Sequence, residues 1–205
     1  MYIAIFDIGG VMAKICHTWQ EAAEAAGVAC HLSANKPFPL ISFEPFIEYQ
    51  ADKISIDKYL LELGELLGVD TEQALRVHNG ILVDMYPGID TFLDQLRAQG
   101  YRLGCLSNTN APHWQELITS ERFAPIGRLE YKMASHEVRL AKPDPAIYRR
   151  FENEFTLPGE SILYFDDHAP NVEAARSVGW NAHRIDPNGD PVSQISSIIG
   201  PLGVI

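Results

Sequence analysis

Asp7 ends the apolar run YIAIF and is followed by isoleucine and two glycines, which sets a carboxylate at a strand tip where the chain turns sharply. LGCLSNTN ends a second apolar run with Ser107 and Asn108, ILYFDD ends a third with Asp166 and Asp167, and Lys142 stands in LAKPDP. A carboxylate can attack phosphorus and divide one hard displacement into two easier ones through an acyl phosphate. Two adjacent carboxylates near a third call for a cation or a raised pKa. Oxygen ligands of this kind suit Mg²⁺, which also binds substrate phosphate. Ser107 and backbone N–H groups at a strand-to-helix junction make an anion-binding arrangement, and Lys142 adds a compact positive charge with three donors. Alone, each fragment has a plainer reading: Asp7 capping a turn, the Asp pair capping a helix near Pro170, Lys142 solvated. Their occurrence together favours a site.

In open α/β sheets ligands bind outside the carboxyl ends of the strands, so three such tips and one loop can converge. Strands are expected at residues 2–6, 102–106, 128–131, 162–165 and 181–185. The first, second and fourth are nearly unbroken apolar runs, as in parallel strands buried on both faces. Helical spacing recurs between them: Ile89, Phe92, Leu93 and Leu96 up to Gly100, then 111–122, 145–155 and 170–178, the last two opening on proline. Residues 14–84 break this rhythm and hold four helical stretches, 19–26, 43–50, 56–67 and 71–83. That is far more chain than one crossover helix needs. The block reads as a helical cap (14–84) inserted in a core formed by 1–13 and 85–205, closing over the site and excluding water.

The 205-residue chain is 46% hydrophobic, enough for a core, and carries a net charge of −11. That charge argues against nucleic acid and anionic membranes as partners, while leaving room for a phosphorylated substrate met by a local lysine and a metal. Three cysteines without metal-ligand spacing point to a reducing compartment. With no basic leader and no run approaching a membrane span of roughly 18 residues, a cytoplasmic protein is expected. The apolar end, Ile198 to Ile205, packs on the sheet edge or offers a partner surface, and the oligomeric state, monomer included, is left open.

FDIGGV, LSNTN, AKPDPAIY and YFDDHAPNVEAARSVG, in that order, resemble the four motifs of the haloacid dehalogenase-like hydrolase superfamily, across almost the whole chain. The pattern is similar to the small-cap subgroup that includes bacterial sugar-phosphate phosphatases and the phosphatase domain of epoxide hydrolases. The resemblance implies a Rossmann-like parallel sheet of order 3-2-1-4-5. It implies Asp7 as the phosphoryl-accepting nucleophile, and Mg²⁺ held by Asp7, the Gly9 carbonyl, Asp167 and Asp166. Ser107, the Asn108 backbone and Lys142 would hold the phosphate. One position departs from the family: most of its phosphatases carry a second Asp where Gly9 stands, a general acid–base worth roughly 10²–10⁴-fold. The sugar-phosphate branch includes active phosphatases with Asp-x-Gly. His17, and after it His168, are candidate replacements for the proton donor, and each also reads as a surface histidine.

The leading reading is therefore an Mg²⁺-dependent phosphatase of a small phosphorylated metabolite, a sugar phosphate being one candidate, with selectivity set by the cap around His17, Trp19 and Phe43–Phe46. A metal-independent 2-haloacid dehalogenase would use a cap arginine and a Ser-Ser-Asn last motif. Here no arginine precedes Arg76, and the last motif is Asp-Asp. A non-catalytic ligand-binding paralogue has only Gly9 in its favour.

Overall fold

Ile3, Ala4, Ile5 and Phe6 are all buried, which requires packing on both faces of the strand they form. The computed structural model describes residues 3–200. Tyr2, expected in the first strand, and residues 201–205 of the apolar C-terminal run lie outside the described residues. The first half runs β1 (Ile3–Phe6), β2 (Ala13–Ile15), α1 (Trp19–Ala25), α2 (Glu44–Gln50), α3 (Ile56–Leu67), α4 (Thr71–Asn79), β3 (Leu82–Met85) and α5 (Ile89–Ala98). Then come β4 (Arg102–Ser107), α6 (Ala111–Thr119), α7 (Ala124–Gly127), β5 (Tyr131–Ala134) and α8 (Ser135–Val138). The last elements are α9 (Pro145–Phe155), β6 (Ile162–Asp166), α10 (Ala169–Ser177), β7 (Asn181–Arg184) and α11 (Pro191–Ile199).

The α/β class is as expected: a five-stranded sheet, ordered β5-β4-β1-β6-β7, with every pair parallel. Alternation along the strands feeds two separate cores. Phe6, Leu103 and Cys105 face α5, α6 and α11, whereas Ile5, Leu106 and Tyr164 face α9 and α10. The register matters for function. Phe6 pairs with both Cys105 and Phe165, so the carboxyl ends of β1, β4 and β6 finish level. The Asp7 N–H donates to the Phe165 carbonyl at 2.8 Å, which pins the first tip to the third.

Helices α1–α4 build a third core of their own around Trp19, Tyr59, Leu63 and Val77. Leu63 and Leu67 have no exposure, a burial worth on the order of 1.5–3 kcal/mol each. Local signals fix the helix ends. Thr18 and Glu21 form a reciprocal capping box on α1. Ser55 caps α3, which stops at Gly68 in the left-handed region at φ 72°.

Three sequence expectations need correction. The helix expected over 71–83 ends at Asn79, and Leu82–Met85 is a strand that pairs antiparallel with β2. This two-stranded ribbon connects the helical body to the sheet; Val83 lies on it 44% exposed, so neither period shows clearly. The strand expected at 128–131 lies at Tyr131–Ala134, because Arg128 ends α7 and the pairing sets Tyr131 opposite Gly104. The helix expected over 111–122 stops at Thr119 and gives way to a separate turn at Glu121–Phe123.

Candidate active site

The level strand ends deliver Asp7, Ser107 and Asp166 to one place, with Asp167 just beyond β6. Lys142 reaches in from the loop before α9 and lies between two carboxylates, its Nζ 2.9 Å from Asp7 Oδ1 and 2.7 Å from Asp166 Oδ2. Asn108 holds that loop: its amide donates to the Lys142 carbonyl, and its side-chain oxygen accepts from the Lys142 N–H, both at 2.8 Å. Its side chain is thus committed to positioning the lysine, and its backbone is what remains for a ligand. Ser107 is buried at the tip of β4 and lines the cavity.

The three carboxylates differ sharply in environment. Asp166 is fully buried; it accepts from the Lys142 ammonium, the Tyr164 hydroxyl, the His168 N–H at 2.8 Å and the Asn171 amide at 3.0 Å. Burial alone would raise its pKa, but the lysine charge and these donors hold it below the usual range. Asp7 accepts from the Ile8 N–H at 2.7 Å and from Lys142. Burial pushes it up to about 7 despite the lysine, with Asp166 and Asp167 adding to the rise. Asp167 is likewise raised, by burial first and then by Asp166. Lys142 is raised because the charges of Asp166 and Asp7 outweigh its desolvation.

Three carboxylates facing one lysine leave negative charge uncompensated, and the raised pKa values of Asp7 and Asp167 express it. One oxygen from each of Asp7, Asp166 and Asp167 lies within 4.8 Å of the others. This hard-oxygen cluster fits a divalent cation of the Mg²⁺ kind. Asp7 and Asp167 line the cavity, whereas Asp166 does not and has its oxygens engaged from below. Gly10 permits the close approach. It sits at φ +73°, and a Cβ there would lie 2.6 Å from Asp167 Oδ2. At Gly9 a Cβ would meet Ile15 Cδ1 at 2.7 Å, so the space that a side chain at position 9 would enter is filled by Ile15.

A cavity of about 500 Å³ opens from this cluster toward the helical body. Of the residues singled out there, His17, His168 and Phe46 line it, both histidines exposed, and His17 acts electrostatically on Asp167. Trp19 belongs to the helical core instead, edge-on to Phe43 and Phe46. Sequence reasoning missed Tyr164 as a support of Asp166, although it stands two residues earlier on the same strand face; Asn171, in the first turn of α10, is the other support.

It also missed a buried polar chain between the helical body and the sheet. The His78 and His113 rings stack with centroids 4.0 Å apart. His113 Nε2–H donates to the His78 carbonyl at 2.9 Å, so its Nδ1 accepts from the Asn110 amide at 3.2 Å. The Asn110 oxygen then accepts from His78 Nε2–H, and Tyr59 O–H donates to His78 Nδ1 at 2.9 Å. Every ring nitrogen is used in the neutral state, and a proton on either ring sets donor against donor. Burial accordingly lowers His113 to about 4 and His78 well below its usual value. Depressed histidine pKa values give stability that is full above about 6.5 and lost as pH falls toward about 4. We expect His113 to subtract the equivalent of roughly 3 kcal/mol from stability across this window, seen as a shallower fall, or a steeper rise, of the denaturant midpoint on acidification in His113→Gln than in wild type. Equal pH slopes in variant and wild type would contradict this.

A model of the family described as haloacid dehalogenase-like hydrolase matches residues 2–179. The chain is 25% identical over 166 residues to a phosphatase of Mycobacterium tuberculosis, covering 79% of this chain and 74% of that one. Its fold is similar to that of a predicted HAD-like family hydrolase from Porphyromonas gingivalis, with a TM-score of 0.78 at 23% identity over 97% of this chain and 98% of the other. A HAD family enzyme of Bacteroides thetaiotaomicron, solved with magnesium and inorganic phosphate, gives a TM-score of 0.72 at 20% identity, covering 93% and 96%. A dehalogenase lies further away, with a TM-score of 0.68 at 16% identity, covering 97% and 96%. At these identities the structural likenesses carry the fold alone.

Proposed function

Because the chain belongs to the haloacid dehalogenase-like hydrolase family, we propose that it is an Mg²⁺-dependent phosphatase of a small phosphorylated metabolite, acting through a phosphoryl-aspartate. The observation that carries this reading is the meeting of Asp7, Asp167, Lys142 and Ser107 at one end of a single cavity. An Asp7 oxygen attacks phosphorus, the bond to the organic oxygen breaks, and the departing alkoxide takes a proton from solvent, since position 9 carries no acid. Water then attacks the same phosphorus, inorganic phosphate leaves, Asp7 is regenerated and a proton passes to solvent. Lys142, the Ser107 hydroxyl and the Asn108 backbone face the equatorial oxygens, where charge must be neutralised. Asp7, Asp167 and the Gly9 carbonyl would hold Mg²⁺, with Asp166 behind them. When bound, the ion supplies charge neutralisation at the phosphoryl group. Residues 14–84 act as the cap over a core of 1–13 and 85–205. The C-terminal end of α2 supports this role, since Gln50 donates to the Asn108 carbonyl at 3.3 Å and accepts from Ser135.

The dehalogenase reading gains nothing from the site. Arg76 donates to the Ala26 carbonyl at 3.0 Å and does not line the cavity. The test is phosphate release from p-nitrophenyl phosphate. Activity is expected with Mg²⁺, and EDTA is expected to cut it at least about 100-fold, the scale of losing several kcal/mol of charge stabilisation. Activity indifferent to EDTA, or chloride release from chloropropionate, would overturn the proposal. Inertness toward both substrates would favour a binding protein.

A further inference from the structure

We propose that the organic part of the substrate is apolar, an alkyl, prenyl or aryl group rather than a sugar, and that it occupies the cap side of the active-site cavity. This rests on the phosphatase reading above. A cavity of about 500 Å³ falls within the roughly 300–1,000 Å³ typical of sites that enclose a whole organic ligand, so a phosphoryl group at Asp7 fills only one end. Beyond that end the walls are chiefly Leu40, Ile41, Phe46, Ile47, Ile81 and Leu117.

The polar side chains lining that space, His17, Gln50, Thr109 and His113, are outnumbered by the apolar ones, and two of the four are committed. Both His113 ring nitrogens are bonded, to Asn110 and to the His78 carbonyl. The Gln50 amide donates to the Asn108 carbonyl. The carboxylates and ammonium on the cavity wall are confined to Asp7, Asp167 and Lys142 among the described residues. A sugar would bury several hydroxyls against this wall with few partners, and unpaired buried hydroxyls are disfavoured. A hydrocarbon meets no such penalty. Ile41 and Ile47, 62% and 44% exposed, sit on the same wall and are among the large apolar side chains that the protein leaves in water. Their position continues the apolar surface from the buried Leu40 and Phe46 outward, along the path that a chain leaving the phosphate would take.

The experiment compares kcat/KM for methyl, butyl, hexyl and octyl phosphate with that for glucose 6-phosphate and glycerol phosphate, all in Mg²⁺. We expect kcat/KM to rise about fourfold per added methylene, the fold-change equivalent to roughly 0.8 kcal/mol, until the cavity is full, with the sugar phosphates at the level of methyl phosphate or below. Ile47→Glu, on an exposed position that folding does not require to be apolar, should flatten the dependence on chain length. Octylphosphonate, which cannot be cleaved, should bind wild type more tightly than methylphosphonate does. Hydrolysis that is flat across the alkyl series, or that favours the sugar phosphates, overturns this inference and leaves the phosphatase reading standing. Hydrolysis of none of the esters removes both.

Discussion

Asp7→Asn should abolish turnover and, in metal-free protein, raise thermal stability. The loss of rate follows from the proposed role, since an amide oxygen cannot form the acyl phosphate. Deleting a hydrolase nucleophile costs roughly 10⁴–10⁶-fold. The gain in stability follows from the electrostatics. Asp7 is raised to about 7, by burial first and by Asp166 and Asp167 after it. A carboxylate whose folded pKa lies above its unfolded value costs nothing below about 4, and its full cost is present above about 7. Removing the charge relieves a penalty on the order of a few kcal/mol at pH 8. Lys142 is not orphaned, because Asp166 stays 2.7 Å away. Melting curves in EDTA at pH 5 and pH 8, with phosphate release in Mg²⁺, check both halves. The variant should melt higher than wild type at pH 8, and by a much smaller margin at pH 5. Mg²⁺-dependent release above about 1% of wild type would remove Asp7 from the nucleophile's place. Such a trade of stability for reactivity is expected where a site must hold like charges together until a cation and substrate arrive.

The residues gathered at one end of the cavity could be read from the chain, whereas most of the contacts that hold them in place could not. Asp7, Ser107 and Asp167 end runs whose apolar character is set by burial in a parallel sheet, so their position at a strand tip follows from local pattern alone. What escaped depends on contacts between distant segments. The Asn108 side chain is spent on the Lys142 backbone, 34 residues away. The His78–His113 stack joins α4 to α6, and nothing in either local sequence marks one ring as the partner of the other. The ribbon of β2 and β3 was missed for the same reason. Three residues paired with a strand from the far side of the helical body have no period of their own long enough to detect.

Lys142→Met should damage the fold severely, and its damage should depend on pH and on added cation. The lysine is buried with Asp7 on one side and Asp166 on the other. Methionine fills much the same volume and removes the positive charge between them. Breaking a buried pair by deleting one partner costs roughly 3–5 kcal/mol because the remaining charge is stranded, and here two carboxylates are stranded against each other. Asp166 keeps its bonds from Tyr164, His168 and Asn171, so Asp7 would take up the proton, raising its pKa beyond the present value of about 7. The deficit in stability should therefore be largest above neutral pH, shrink as the medium is acidified, and be partly recovered by Mg²⁺, which supplies positive charge to the same carboxylates. Turnover should not recover with it, because the cation does not replace the ammonium held beside Asp7 at the end of the cavity. Urea midpoints at pH 6 and pH 8.5, with and without Mg²⁺, measure this directly. A variant as stable as wild type at pH 8.5 would mean that the lysine does not neutralise the pair, and the electrostatic account of the site would fall with it.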